Sequence, residues 1–432
     1  MLHARFLKRF LTGVLFPLAL SLCAEAQAGT GKYMGTGTCS SSNCHGSVHP
    51  RKSSDVLQNE YYTWMKHDKH SKAYSVLMGA DGRRMASLLN IKDASNEPLC
   101  LKCHATYVPD PSQRGEKFDL KDGVSCESCH GPAEGWLATH PETGATHQDN
   151  LARGLADTVS LDKRAKLCLS CHYGDDDQWV SHDLYGAGHP RLSFELDTYG
   201  VLQPKHWVID EDYLKRKGPY VPLAAWLIGQ ETNAEAVVDT LLNPAISKNG
   251  MFPELSLFDC FSCHHSLADA QWKKRSYEGQ PGRLHLNLAS LIMLQQALGA
   301  LDQGLADELG QLVSALHTSF QASGALETVE EIKSLLTTRV RPLVLTASAS
   351  EATCKEMMRR LAQFGANTPF PKYEVAEQIG MGIQAAMATS PSLSKRYKAQ
   401  LDQLFAGLAN AKSFKPEKFT AAAAGLAKAL GN

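Results

Sequence analysis

The stretch Cys126-Glu127-Ser128-Cys129-His130 decides the fold, because its pattern of two cysteines followed by a histidine recurs along the chain. Three more regular copies and one wider form occur, at Cys100-Leu101-Lys102-Cys103-His104, Cys168-Leu169-Ser170-Cys171-His172, Cys260-Phe261-Ser262-Cys263-His264 and Cys39-Ser40-Ser41-Ser42-Asn43-Cys44-His45. In c-type haem attachment the two thiols bond to the porphyrin and the adjoining histidine binds the iron. The five motifs therefore predict five haem c groups on one polypeptide.

Each motif residue has a predicted role. The expected points of covalent haem attachment are the ten motif cysteines, Cys39, Cys44, Cys100, Cys103, Cys126, Cys129, Cys168, Cys171, Cys260 and Cys263. The expected proximal iron ligands are His45, His104, His130, His172 and His264.

Zinc and disulfides are the alternatives for cysteine pairs. A disulfide framework would not place a histidine after every second cysteine, and zinc sites usually combine two cysteine pairs or one pair with a distant histidine pair. Two extra residues separate Cys39 from Cys44. For that motif a disulfide or a singly attached haem stays open.

The first residues are typical of a secretory signal peptide. Basic residues precede an apolar stretch at 10–22, and Ala26-Gln27-Ala28 offers a small-residue cleavage signal, so residues 1–28 are the expected signal peptide. Pro17 and the short length argue against a permanent membrane helix, and the bulky Leu22 disfavours a lipoprotein anchor at Cys23. No later apolar run is long enough to span a membrane. We expect a periplasmic protein without a transmembrane segment.

The charge balance gives no sign of a polyanionic partner. Lys and Arg number 44 and Asp and Glu number 45, which leaves a formal net charge of -1. Nucleic-acid binding is therefore not indicated.

The chain divides into two parts by its chemistry. Residues 29–285 carry every motif, with many Gly, Pro and Asp residues between short helical pieces, and a helical insertion is predicted at about 220–245. Residues 286–432 have no motif and show helical spacing of apolar residues. The expected fold is mainly α, with short helices and long loops around stacked haems followed by an all-α helical module. Because haem supplies much of the buried apolar surface, we expect the first part to be largely unfolded without it.

Cys354 is the remaining cysteine after the leader and the motifs. It shares an apolar helical face with Met357, Met358 and Leu361. This setting favours a buried structural thiol over an iron ligand or a redox-active thiol.

Two stretches resemble the cytochrome c-554 family of multihaem cytochromes. They are Tyr61-Tyr62-Thr63-Trp64-Met65-Lys66-His67-Asp68-Lys69-His70-Ser71-Lys72-Ala73 and Asp122-Gly123-Val124-Ser125-Cys126-Glu127-Ser128-Cys129-His130-Gly131-Pro132. The likeness covers about residues 35–190. It implies a mostly helical fold around stacked haem pairs, iron mainly bound by two histidines, and periplasmic electron transfer. The fifth motif, the insertion and the long tail depart from the family pattern.

The sixth iron ligand separates electron transfer from catalysis, since an open position lets a small molecule bind. Eleven histidines outside the leader and the motifs could fill it. The resemblance implies His70 as one distal ligand, with His67 on the same helix face as its rival, and either His140 or His147 as another. His189 follows Gly186-Ala187-Gly188, where small residues let the backbone approach a porphyrin. The full set of distal candidates is His70, His67, His140, His147, His189, His49 and His285.

Two functions follow as hypotheses. The first is an electron carrier between redox-partner proteins of the periplasm. The alternative is an oxidoreductase with one open-coordinate haem acting on a small nitrogen or sulfur compound, although the Cys-x-x-Cys-Lys motif of some nitrite reductases is absent. For the C-terminal helices, docking of a partner, oligomerisation and covering of the last haem all stay open.

Overall fold

The computed structural model describes residues 31–52, 56–247, 253–260, 263–264, 284–320, 325–368 and 372–431. Within these ranges the chain is mainly α, as the sequence predicted, and its one sheet is a two-stranded antiparallel ribbon of β1 (Gly174–Asp175) and β2 (Gln178–Trp179). The predicted signal peptide lies outside the described residues. No helix in the described ranges is both long and apolar enough to cross a membrane.

Short helices carry the motifs in the first part of the chain. They are α1 (Thr36–Cys39), α2 (Glu60–His67), α3 (Ala73–Leu77), α4 (Ala80–Leu88), α5 (Pro98–His104), α6 (Cys126–His130), α7 (His147–Ala152), α8 (Leu161–His172), α9 (His182–Gly186), α10 (Leu196–Leu202) and α11 (Glu211–Lys217). Single 3₁₀ turns lie at Lys69–Lys72, Ala94–Asn96, Pro111–Gln113, Leu120–Asp122 and Leu255–Leu257.

Three regular motifs end their helices on the motif histidine. This holds for α5, α6 and α8. In α6 the next residue, Gly131, has φ 76°, a left-handed conformation that ends a helix and that glycine adopts without steric cost. Each motif thus presents its thiols and imidazole from about one helical turn of backbone.

The chain from residue 222 onward is built from further helices, most of them longer. They are α12 (Pro222–Leu242), α13 (Pro244–Ser247), α14 (Ala289–Leu298), α15 (Gln303–Ser319), α16 (Ala325–Leu335), a π-helical turn (Leu336–Val340), α17 (Arg341–Thr346), α18 (Glu351–Asn367), α19 (Tyr373–Thr389), α20 (Pro391–Arg396), α21 (Lys398–Ala406) and α22 (Pro416–Gly431). A 3₁₀ turn at Ala411–Ser413 precedes α22.

One large hydrophobic core joins α12 to the C-terminal helices. It runs from Leu223 and Trp226 to Phe419 and Leu430. Trp226 has no exposed surface and lies so close to Gly382 of α19 that a Cβ there would sit 2.6 Å from the indole. Cys354 is part of this core, and burial raises the pKa of its thiol to about 11, as expected for a structural cysteine. The predicted insertion at about 220–245 therefore packs with the helices after residue 286.

The motif-bearing part has only small clusters of buried apolar side chains. One surrounds Tyr74, Leu77 and Leu101, and another surrounds Leu169 and Phe194. Side chains alone bury little apolar surface here, in contrast to the helical core.

Ion pairs connect the two parts. Arg341 of α17 contacts Asp162 of α8 at 2.7 Å and Glu235 of α12 at 2.8 Å. Beside the fifth motif, the buried Lys372 amine lies 3.1 Å from the Asp259 carboxylate. These contacts fix the C-terminal helices against the segments that carry α8 and the fifth motif.

Candidate haem sites

Every motif histidine faces a second histidine from elsewhere in the chain. We number the resulting sites in the order of their motifs. Site 1 is His45 with His140 (6.2 Å between ring centroids), site 2 is His104 with His189 (6.4 Å), site 3 is His130 with His206 (6.3 Å), site 4 is His172 with His70 (6.1 Å), and site 5 is His264 with His182 (6.2 Å).

These separations fit two imidazoles on opposite sides of one metal ion. A bond from a first-row metal to an imidazole nitrogen is about 2.0 Å, and that nitrogen lies about 1.1 Å from its ring centroid, which gives about 6.2 Å between centroids. A direct hydrogen bond between two imidazoles, at about 2.9 Å between nitrogens, would bring the centroids to about 5 Å. The spacing of the five pairs therefore fits two imidazoles that would bind one iron between them.

The ring planes support the same interpretation. Their interplanar angles range from 15° at site 1 and 24° at site 5 to 74°, 86° and 88° at sites 3, 2 and 4. Binding to a central ion fixes the separation but leaves each ring free to rotate about its bond to the metal. Stacking between the rings themselves would favour particular orientations.

Hydrogen bonds at Nδ1 orient several of these rings. In site 1, His45 Nδ1 lies 2.9 Å from Glu60 Oε2 and His140 Nδ1 lies 2.7 Å from the Leu137 carbonyl. The other three such contacts are His104 with the Ala73 carbonyl (2.9 Å), His70 with Asp68 Oδ1 (2.9 Å) and His189 with the Pro190 carbonyl (2.8 Å). With the Nδ1 proton donated to these acceptors, Nε2 of each ring would be the nitrogen available to an iron.

Electrostatics differ among the rings. Burial lowers the pKa of His130 and of His172 to about 4, so both imidazoles are neutral at neutral pH, as iron binding requires. The hydrogen bond to Glu60 raises the pKa of His45, and the hydrogen bond to Asp68 raises the pKa of His70. Sites 1 and 4 therefore each carry a carboxylate behind one imidazole.

Motif thiols of different sites lie next to one another. The Cys39 and Cys126 thiols interact electrostatically, as do those of Cys103 and Cys171. The Cys129 thiol interacts electrostatically with Cys171 of the next motif. These contacts place site 1 beside site 3, site 3 beside site 4, and site 4 beside site 2.

Tyr185 lies between site 2 and site 5 and interacts with both. The tyrosine ring lies 6.3 Å from the His189 ring of site 2, and its hydroxyl interacts electrostatically with Cys260. The carboxylate of Glu254, shortly before that motif, accepts a hydrogen bond from the His182 backbone N–H at 2.7 Å. The five sites thus follow one another in the order 1, 3, 4, 2 and 5.

Three distal candidates from the sequence, His70, His140 and His189, lie opposite motif histidines. The alternatives His67 and His49 are exposed. His147 is exposed as well, and its Nε2 lies 3.3 Å from Asp157 Oδ1. None of these last three faces a motif histidine among the described ring contacts.

His285 also has a histidine neighbour, His317, at 6.1 Å between centroids. Both residues are buried, with 9% and 6% exposure, and neither follows a cysteine pair in the sequence, although the His285 carbonyl accepts a hydrogen bond from the N–H of Asp259, next to Cys260, at 2.8 Å. By contrast, the ten rings of sites 1 to 5 are half-buried or exposed. The His285 pair is therefore packed within protein, unlike the five motif pairs.

Sequence reasoning missed two of the facing histidines, His182 and His206. His182 begins α9, and His206 lies between α10 and α11, where its ring contacts Trp207 at 5.1 Å. Neither belongs to a recognisable pattern. The only signal was that the chain holds enough histidines outside the motifs to supply every site.

The stretch with Trp64 and the stretch around the Cys126 motif interlock in space. Trp64 Nε1 donates a hydrogen bond to the Val124 carbonyl at 3.1 Å, and Val124 N–H donates to the His70 carbonyl at 3.1 Å. At Gly123, with φ 74°, a Cβ would lie 2.7 Å from that same carbonyl. The tryptophan and the Gly-Val pair therefore hold the His70 backbone beside the motif.

Glu127, inside the same motif, has a structural role. Its buried carboxylate accepts backbone N–H groups from Met34 (2.8 Å), Gly35 (2.7 Å) and Ala133 (2.8 Å). Since a buried carboxylate is stable only when hydrogen-bonded, these donors explain a glutamate between the two cysteines. Glu127 ties the segment before the Cys39 motif to the Cys126 motif.

Comparison with known proteins bears on the first three motifs. Residues 38–131 match the family described as cytochrome c554 and c-prime. No curated protein and no solved structure matches the chain. The match over residues 38–131 confirms the resemblance to the cytochrome c-554 family in this part of the chain and supports haem c as the group that its motifs would hold.

Proposed function

We propose that this chain holds five haem c groups and relays single electrons through them between redox partners in the periplasm. The observation that carries the proposal is the pairing of every motif histidine with a second histidine at 6.1 to 6.4 Å. Bound haem supplies an iron that cycles between the ferric and ferrous states. The polypeptide supplies two axial imidazoles and two thiols to each site.

Two imidazoles per site favour a carrier over an enzyme. A second imidazole completes the iron coordination, which leaves no position for a substrate. The oxidoreductase alternative needs a motif histidine without a facing histidine. Each of the five motif histidines in the described ranges has one, so the pairing supports the carrier.

The order of the sites supports a relay. Neighbouring motifs approach one another closely enough for their thiols to interact, at Cys39 with Cys126 and at Cys103 with Cys171. Site 1 at one end includes the exposed Cys44, and site 5 at the other includes the exposed Cys260 and Cys263. We propose that electrons enter and leave through these two ends.

The expected count of five haems depends most on the wider motif, which runs from Cys39 to His45. His45 in this motif has the same type of facing histidine as the regular copies, which supports a haem at site 1. Pyridine haemochrome assay and intact mass of the purified holoprotein should give five haems, and the variant Cys39→Ser/Cys44→Ser should give four. A count of four in the unmodified protein would contradict a haem at site 1.

A further inference from the structure

Two carboxylates lie buried at the start of α10, beside site 4. Glu195 and Asp197 are each 2% exposed. Their neighbours Phe194 and Tyr199 contact the His172 ring, with centroid separations of 5.5 and 5.2 Å. The two acids therefore share a short segment with the aromatic side chains that pack on a ligand of site 4.

Neutral donors, not cations, surround these acids. Glu195 accepts the backbone N–H groups of Asp197 (2.7 Å) and Thr198 (2.8 Å), and Asp197 accepts the Tyr220 hydroxyl at 2.8 Å. Arg191, the nearest arginine in sequence, pairs instead with Glu374 and Glu377. Among the described residues, no Lys or Arg forms an ion pair with either carboxylate.

The surrounding titratable and charged groups come from every element packed on this segment. Three charged groups interact electrostatically with this segment. Lys205 lowers the pKa of Asp197, Arg164 of α8 lowers the pKa of Tyr220, and Glu377 of α19 raises the pKa of Tyr199. Lys205 is exposed, so solvent screens its charge. None of these groups neutralises Glu195.

The protonation state of Glu195 is consequently open to small changes in its surroundings. Burial raises the pKa of Glu195 to about 7, and burial also raises the pKa of Asp197. A carboxyl of this kind changes its charge near neutral pH, where an ordinary glutamate is fully ionised.

We propose that Glu195 binds a proton when site 4 gains an electron, which couples reduction of that site to proton uptake. The inference rests on the proposed electron-transfer function. One electron comes from the redox donor and one proton from solvent, the O–H bond forms on the Glu195 carboxylate, and both leave on reoxidation. An added electron makes the site more negative and favours the neutral acid, and by reciprocity the proton favours the reduced site.

This coupling predicts the sign of a pH effect. As pH rises through neutrality, proton uptake becomes less favourable, so the reduction potential of site 4 falls. With one proton per electron, the limit is about 59 mV for each tenfold change in proton concentration.

Redox titration of the holoprotein at pH 6, 7 and 8, followed by optical and EPR spectroscopy, tests the proposal. Glu195→Gln keeps an oxygen that can accept an α10 N–H but cannot gain a proton. Glu235→Gln is the control, because Glu235 is also buried but pairs with two cations, Arg341 at 2.8 Å and Lys166 at 3.3 Å.

We expect one centre of the wild type to show the pH dependence, the control to retain it, and Glu195→Gln to lose most of it. An unchanged slope in Glu195→Gln overturns the inference, and so does a wild type whose five potentials are all independent of pH.

Infrared difference spectroscopy of the wild type needs no variant and covers the case in which Glu195→Gln does not fold. Reduction at pH 7 should add a carbonyl stretch from a protonated carboxyl group, and absence of that band overturns the inference.

The spin state of the five irons distinguishes failure of the proton-uptake proposal from failure of the electron-transfer proposal. Five low-spin centres without pH linkage reject only the proton site, whereas a high-spin centre rejects the electron-transfer assignment itself.

Discussion

At the level of single residues, a group that hydrogen-bonds to one of the paired histidines would tune a bound iron through that histidine. Asp68 is 6% exposed and accepts hydrogen bonds from both the His70 ring and the His70 backbone N–H. A negative charge in this position stabilises ferric over ferrous iron, since the ferric site carries one more positive charge.

Replacing Asp68 with Asn should therefore raise the reduction potential of site 4. The amide oxygen can still accept the Nδ1 proton, but the charge is gone, and we expect a shift equivalent to about a tenfold change in the reduction equilibrium, or about 59 mV. Redox titration of the holoprotein measures it. Asp93→Asn is a suitable control, because Asp93 caps Ala94–Asn96 in the same manner without a histidine contact. A lowered or unchanged potential in Asp68→Asn would refute this role.

The distal assignments are testable with a matched pair of histidines. His140 lies opposite His45, whereas His147, close by in sequence, contacts Asp157 at the surface. We expect His140→Ala to convert one of the five ferric centres to high spin and His147→Ala to change none, as read by EPR. The reverse result would show that the ligand of site 1 is wrongly assigned.

Motif chemistry is local in sequence, and for this reason the prediction of the attachment residues rests on spacing alone. The facing histidines are not local. His206, between α10 and α11, meets His130 only in the folded chain, and no spacing rule encodes that approach. His70 and His140 were proposed because a family pattern preserves their surroundings, which Trp64 and Gly123 illustrate through their contacts with Val124 and His70.

At the scale of elements, α12 connects the motif-bearing part to the helical core. Its sequence is apolar nearly all round, so periodicity predicted a helix but could not indicate what would cover it. Two of its few acids, Glu231 and Glu235, are buried and lie 3.3 and 2.8 Å from Arg341 of α17. Arg341 also contacts Asp162 of α8, which ends at the Cys168 motif.

Removing the Arg341 charge should destabilise the protein. Arg341→Met leaves the buried Glu231 without its ion-pair partner and leaves Glu235 with Lys166 alone, at 3.3 Å. Loss of one partner from a buried ion pair costs about 3 kcal/mol in free energy of unfolding. Arg339→Met is the control. Its pair with Glu308 is exposed and should contribute under about 1 kcal/mol. Denaturant unfolding of the holoproteins, followed by circular dichroism, compares them. Equal losses for the two variants would contradict the buried network.

At the scale of the whole molecule, the two parts are stabilised differently. The helical core is built from side chains of α12 and the helices after residue 286, whereas the motif-bearing part has only small clusters such as that around Tyr74 and Leu77. Composition predicted this contrast, since Gly, Pro and Asp separate the motifs. Inclusion of α12 in the core depends on tertiary packing and could not be predicted.

Apoprotein prepared without haem attachment should therefore unfold in part. We expect limited proteolysis with mass spectrometry to degrade residues 31–220 rapidly, while helices from Pro222 onward resist. Folding of the first part is coupled to cofactor binding, and burial of apolar side chains sustains the second. Equal resistance of both parts would show that the motif-bearing half folds without haem.

If a second imidazole joins the motif histidine at each of the five sites, every ferric iron is low-spin, and the spin state of the ferric holoprotein decides this. Quantitative EPR with magnetic circular dichroism should account for five low-spin centres, each bound by two histidines, with no change on adding nitrite, hydroxylamine or nitric oxide to the oxidised protein. A high-spin signal equal to one haem, or a centre that shifts with any of these molecules, would contradict the account and favour an enzyme.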